Sequence, residues 1–128
     1  MLKYGKSKYT KGGYSKSMIV NFEVERDILV VMLKGELDHN IAEEIRVKID
    51  DKIESCIIDN MVFDFSGITF MDSSGIGVVI GRYRKMKAKG GNLYIANAKG
   101  NINRIFELSG LYKVIKKYDT VEEAVRCI

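Results

Sequence analysis

Met71-Asp72-Ser73-Ser74-Gly75-Ile76-Gly77 marks the point where an apolar strand pattern ends and a helical one begins. Upstream, Cys56 to Phe65 is an apolar, β-rich run that leads through Ser66-Gly67-Ile68-Thr69-Phe70 into the motif. Downstream, Ile76, Val79, Ile80 and Tyr83 recur at helical spacing, with Arg82, Lys85 and Lys89 on other faces. Gly90-Gly91 then supplies a left-handed helix end. A helix start carries free N–H groups and partial positive charge, so it accepts a capping side chain or an anion. Ser73 or Ser74 is therefore either an N-cap or an acceptor of phosphate, and the residues alone leave both open.

The same reading extends in both directions. Val20, Phe22 and Val24 alternate with Asn21, Glu23 and Glu25, the period of a half-buried strand. After Arg26-Asp27, the run from Ile28 to Leu33 is apolar on both faces, as a central strand requires. Gly35-Glu36-Leu37-Asp38-His39 forms a loop. Asn40 with Glu43 reads as a capping box, opening a helix whose Ala42, Ile45, Ile49 and Ile53 share one stripe. Leu93 to Ala96 predicts a strand, and Ile102, Ile105 and Phe106 a short helix stopped near Gly110. Val114-Ile115 reads as a last strand, and Thr120 with Glu123 as the cap of a closing helix. The order β-β-α-β-α-β-α-β-α predicts an α/β domain, a mixed sheet with helices packed on it.

At 128 residues the chain is long enough for one domain with its own core. Its net charge of +4 invites a nucleic-acid reading, but the distribution argues otherwise. Residues 1–17 contain Lys3, Lys6, Lys8, Lys11 and Lys16 and no acid, so the remainder is close to neutral. That segment, with Gly12-Gly13 and several serines and tyrosines, is expected to be a basic flexible tail, and residues 18–128 the domain. Two cysteines, Cys56 and Cys127, show neither metal spacing nor a disulfide framework. No apolar run approaches a membrane span, and the N-terminus has no apolar stretch of the signal-peptide kind. The expectation is a soluble, cytoplasmic protein that binds neither nucleic acid nor membrane.

Enzymatic readings find little support. Gly75-Ile76-Gly77 with Gly81 departs from the dinucleotide-binding spacing, and the following strand ends in Asn97 where an acid for the ribose is wanted. His39 is the sole histidine, which leaves one candidate base for a triad, in a loop beside Asp38. Asp64 sits late in a strand like a phosphoacceptor aspartate, yet the first strand is followed by Arg26-Asp27 and not by a magnesium-binding acidic pair. No catalytic residue, cofactor or metal ligand is assigned.

Taken in order, Gly35-Glu36-Leu37-Asp38-His39, Met71-Asp72-Ser73-Ser74-Gly75-Ile76-Gly77, Gly81-Arg82-Tyr83, Gly90-Gly91 and Ser109-Gly110-Leu111-Tyr112-Lys113-Val114-Ile115 resemble the anti-sigma factor antagonists of the STAS family, most closely those of sporulation. The resemblance covers about Met18 to Ile128. It implies a STAS fold and a protein that binds an anti-sigma factor which is also a serine kinase carrying ATP or ADP. That kinase phosphorylates Ser73 and so ends binding, and a serine phosphatase resets the protein. By the same resemblance Glu36, Asp38, His39, Asp72, Ser74 and Gly75 are the expected partner-binding residues. A STAS module of a stress-response pathway, or one that binds a small ligand, is the alternative. Arg82 and Arg84 are expected on a solvated face, as no more than rim candidates for the contact.

Overall fold

A computed structural model describes the backbone of residues 2–10 and 17–128 and the side chains from Met18 onward. Its sheet has six strands in the order of the chain, β1 (Leu2–Thr10), β2 (Ser17–Glu25), β3 (Ile28–Leu37), β4 (Asn60–Met71), β5 (Asn92–Ala96) and β6 (Lys116–Tyr118). The first two pairings are antiparallel and the other three parallel. Parallel neighbours need crossovers, and α1 (Ala42–Ser55), α2 (Ser74–Ala88) and α3 (Gly100–Leu108) supply them. The closing helix is α4 (Val121–Cys127). From Ser17 on, this is the expected β-β-α-β-α-β-α-β-α order.

Two apolar clusters hold the layers together. On one face Val20, Phe22, Leu29, Val31 and Leu33 meet Ile45, Ile49 and Ile53 of α1, Val78, Val79 and Met86 of α2, and Phe106 of α3. Phe65 and Phe106 pack edge to face with ring centroids 5.0 Å apart, an arrangement favoured by the ring quadrupoles. On the opposite face Ile28, Val30, Val62 and Ala96 lie under Ala124 and Val125 of α4. β3 is therefore buried on both sides, which is why its sequence is a continuous apolar run. Thr120 accepts a hydrogen bond from Glu123 N at 3.0 Å and starts α4 as the pattern predicted.

Three local expectations are corrected. Arg82 is buried, at 6% exposure, because position 82 falls on the same α2 stripe as Val78, Val79 and Met86. Its Nε lies 2.9 Å from Asp50 Oδ1 of α1, and it donates to Val78 O at 3.2 Å. Burial pushes the guanidinium below its usual pKa, and the Asp50 charge opposes that shift. Lys85 joins the pair from 3.8 Å. Next, Val114-Ile115 does not begin the last strand: a 3-10 turn over Leu111–Lys113 takes up the Val114 and Ile115 amides at Leu111 O, and the ladder starts at Lys116. Finally, residues 2–10 of the expected tail run antiparallel to β2 from Leu2 opposite Val24 to Thr10 opposite Ser17. Strand pairing uses backbone groups that even a polar sequence provides, and the outer edge of β2 offers them. Met1 and residues 11–16 lie outside the described residues.

Arg82→Ala removes a buried side chain and the cation nearest Asp50, which keeps Arg46 at 3.5 Å and Lys85 at 3.8 Å. It is expected to lower unfolding stability by about 2 kcal/mol, read from urea denaturation at neutral pH. A change below about 0.5 kcal/mol, the size of an ordinary surface substitution, would contradict the assigned role.

Candidate functional site

β4 pairs with β5 only from Asn60 to Asp64, but with β3 as far as Met71 opposite Leu37. The ends of β3 and β4 thus run on together beyond the rest of the ladder, and each leads directly into a helix. Asp72 N donates to Leu37 O at 3.3 Å and closes the pair. α2 then seats on the strand ends at Gly75, where an added Cβ would lie 2.3 Å from Met71 Sδ and 2.5 Å from its Cγ. A side chain there forces Met71 aside, so glycine sets how closely the helix start approaches the sheet.

Two aspartates cap the two helices. Asp38 Oδ1 accepts from Asn40 N at 2.9 Å and Ile41 N at 3.2 Å, and its carbonyl accepts from Ala42 N at 3.0 Å. The expected Asn40–Glu43 capping box is therefore absent: Glu43 instead receives Arg46 Nε at 3.1 Å. That bond and the Arg46 charge hold the exposed Glu43 carboxyl below its usual pKa. In α2, Asp72 Oδ1 accepts from Ser74 N at 2.8 Å and the Asp72 carbonyl from Gly75 N at 3.1 Å. Ser73 has helical dihedrals, φ −63° and ψ −16°, and makes no side-chain cap bond. The cap is Asp72, one residue before Ser73 and two before Ser74. Ser73 is left at the mouth of the helix with its side chain exposed, and Ser74 is half-buried.

The second Asp72 oxygen reaches the other loop, where Oδ2 accepts from His39 N at 3.0 Å. Asp38, His39, Asp72, Ser73, Ser74 and Gly75 are thus gathered at one end of the sheet. His39 is exposed, while Asp38, at 6% exposure, and Gly75 are buried. Glu36 is half-buried and in register with Phe70 on β4. Phe70, 48% exposed, is the residue the sequence reading missed. An irregularity in the β3–β4 register makes Thr69 an extra residue, so Ile68 and Met71 face the core and Phe70 does not. Thr69 Oγ1 donates to Gly35 O at 3.2 Å across the same bulge.

Chemically, the arrangement presents a primary hydroxyl at the positive end of α2, beside the start of α1. Helix N-termini tolerate negative charge through their amides and dipoles, so a phosphate ester on Ser73 would sit in a favourable field. Among the described residues, no helix is long and apolar enough to cross a membrane.

Residues 20–124 match the family model of the STAS domain, and the chain belongs to that family. A relative from Paenibacillus polymyxa, named anti-sigma F factor antagonist, is 34% identical over 83% of this chain and 91% of its own. Among solved structures, the anti-sigma factor antagonist SpoIIAA in its unphosphorylated form superposes with a TM-score of 0.72 at 37% identity, covering 85% of this chain and 97% of that one. The phosphorylated form of the Bacillus cell fate determinant SpoIIAA gives 0.66 at 36% identity, covering 84% and 96%.

If Asp38 is a cap and Ser73 is not, alanine at the two sites should differ. Asp38→Ala is expected to cost about 1 kcal/mol or more of stability, the usual loss of an N-cap, and Ser73→Ala less than about 0.5 kcal/mol. Equal losses in chemical denaturation would contradict the capping scheme.

Proposed function

We propose that the chain is a cytoplasmic anti-sigma factor antagonist that works by partner switching in the control of sporulation. The unmodified protein binds an anti-sigma factor that is also a serine kinase, and the sigma factor is thereby released. The kinase, which carries the ATP or ADP, phosphorylates Ser73 and the product dissociates. A serine phosphatase restores the binding form. The observation that carries this reading is the exposed, uncapping Ser73 hydroxyl, set at a helix start in a chain similar to SpoIIAA in both its forms. Glu36, His39, Asp72, Ser73 and Ser74 form the docking surface; the buried Asp38 and Gly75 set its shape.

The switch needs no refolding. Phosphorylation adds about −1.5 to −2 charge. Opposite one partner carboxylate at ~5 Å and an effective dielectric near 20, that charge is repelled by roughly 5 to 7 kcal/mol before screening. Moving a complex from nearly all bound to nearly all free takes ~5.5 kcal/mol, so local repulsion is of the required size.

Affinity capture from the source organism's cytoplasm, with ATP or ADP present, is expected to recover an anti-sigma factor with kinase activity. Incubation with that kinase and ATP should then place label on Ser73. Ser73→Ala should bind without release and Ser73→Asp should bind weakly. Full labelling of the Ser73→Ala protein would refute the assignment. Residues 1–17 precede the span of the family match, so their deletion should leave kinase binding nearly unchanged. A loss beyond about tenfold, ~1.4 kcal/mol, would give that segment a functional role.

A further inference from the structure

One carboxylate serves two helix starts. Asp72 Oδ1 holds the Ser74 amide of α2 at 2.8 Å, and Oδ2 holds the His39 amide at the entrance to α1 at 3.0 Å. These two amides are 35 residues apart in the chain and belong to different crossovers. Capping α2 alone asks for one acceptor, which Ser, Thr or Asn supplies equally well. Two acceptors on so short a side chain are supplied only by Asp, since the second terminal atom of Asn is a donor and would face the His39 N–H. The second bond is therefore not explained by the capping of α2. It is met at the residue that directly precedes the exposed Ser73 hydroxyl.

We infer that Asp72 is the positioning residue for phosphoryl transfer to Ser73, an inference that rests on the reading of Ser73 as the kinase's target. Its first oxygen does the capping, so the Ser73 hydroxyl is not drawn back onto the α2 amides and stays available. Its second oxygen fixes the Glu36–His39 loop beside that hydroxyl, so the kinase meets one preformed surface. In the transfer itself, Ser73 Oγ bonds to the γ-phosphorus of kinase-bound ATP, the bond from that phosphorus to the ADP oxygen breaks, and the serine proton leaves to the kinase or to solvent. Asp72 acts through Ser74 and His39 and not on the reacting atoms.

The two oxygens are separable by substitution. Asp72→Asn is isosteric, keeps one acceptor for Ser74 N, and puts a donor against His39 N. Asp72→Ala removes both bonds and frees the Ser73 hydroxyl to cap in its place. With the anti-sigma factor recovered above as kinase and ATP as donor, Asp72→Asn is expected to raise KM for this protein about tenfold with kcat within about twofold of wild type. Asp72→Ala should lower kcat by about tenfold as well. Amide hydrogen exchange in the free proteins should show His39 N losing protection in both variants, and Ser74 N only in Asp72→Ala. Wild-type kcat in Asp72→Ala would overturn the inference, as would unchanged His39 protection in Asp72→Asn. A KM raised equally in both variants, with kcat and His39 exchange unchanged, would leave Asp72 as a partner contact with no positioning role and also overturn it. If Asp72→Ala does not fold, the KM and His39 readouts of the isosteric variant decide. Wild-type protein that takes no label on Ser73 would instead sink the proposed function.

Discussion

The parallel pairing of β3 with β4, carried as far as Leu37 opposite Met71, is the constraint on which the site depends. β5 ends at Ala96 in register with Asp64, so the last seven residues of β4 run beside β3 alone. Both strands stop at one place, and the helices that follow pack on the same face of the sheet. Two helix starts therefore come within reach of a single side chain, as the bonds from Asp72 to both loops demonstrate. The missing Cβ at Gly75 lets α2 sit close against the buried Leu37 and Met71. Packing thus sets how the two helix starts lie beside each other.

Much of this fold is legible in the sequence because hydrophobic periodicity is local. The alternation of Val20 and Phe22, the two-faced burial of Ile28 to Val31 and the stripe of Ile45, Ile49 and Ile53 all survive in the structure. Arg82 is hard to place from the sequence because its charge argues against the burial that its position requires. Its spacing from Val78 and Met86 puts it in the core stripe, and the partner that makes this tolerable, Asp50, lies on another helix. The start of the last strand slipped for a similar reason. Gly110, with φ 80°, opens a 3-10 turn that takes the amides of Val114 and Ile115, and no apolar pattern announces such a turn.

The site was legible in its residues but not in its bonds. Asp72, Ser73 and Ser74 are all good capping residues, and which one caps depends on where β4 stops. The same holds for Asp38 against Asn40. The link from His39 N to Asp72 joins a backbone amide to a side chain 33 residues away, and sequence spacing carries no trace of it. What the chain did reveal was the order of its motifs, through the family resemblance and not through periodicity.

The proposed switch follows from these same features. A serine at the mouth of a capped helix is exposed, costs the fold little when modified, and sits where the helix field tolerates a dianion. The free phosphoprotein is then stable, while a partner that presents negative charge is repelled. The most direct measurement is the dissociation constant for the cognate anti-sigma factor, taken by calorimetry on one preparation before and after stoichiometric phosphorylation of Ser73. A weakening of a thousandfold or more, about 4 kcal/mol, is predicted; equal affinities of the two forms would contradict it.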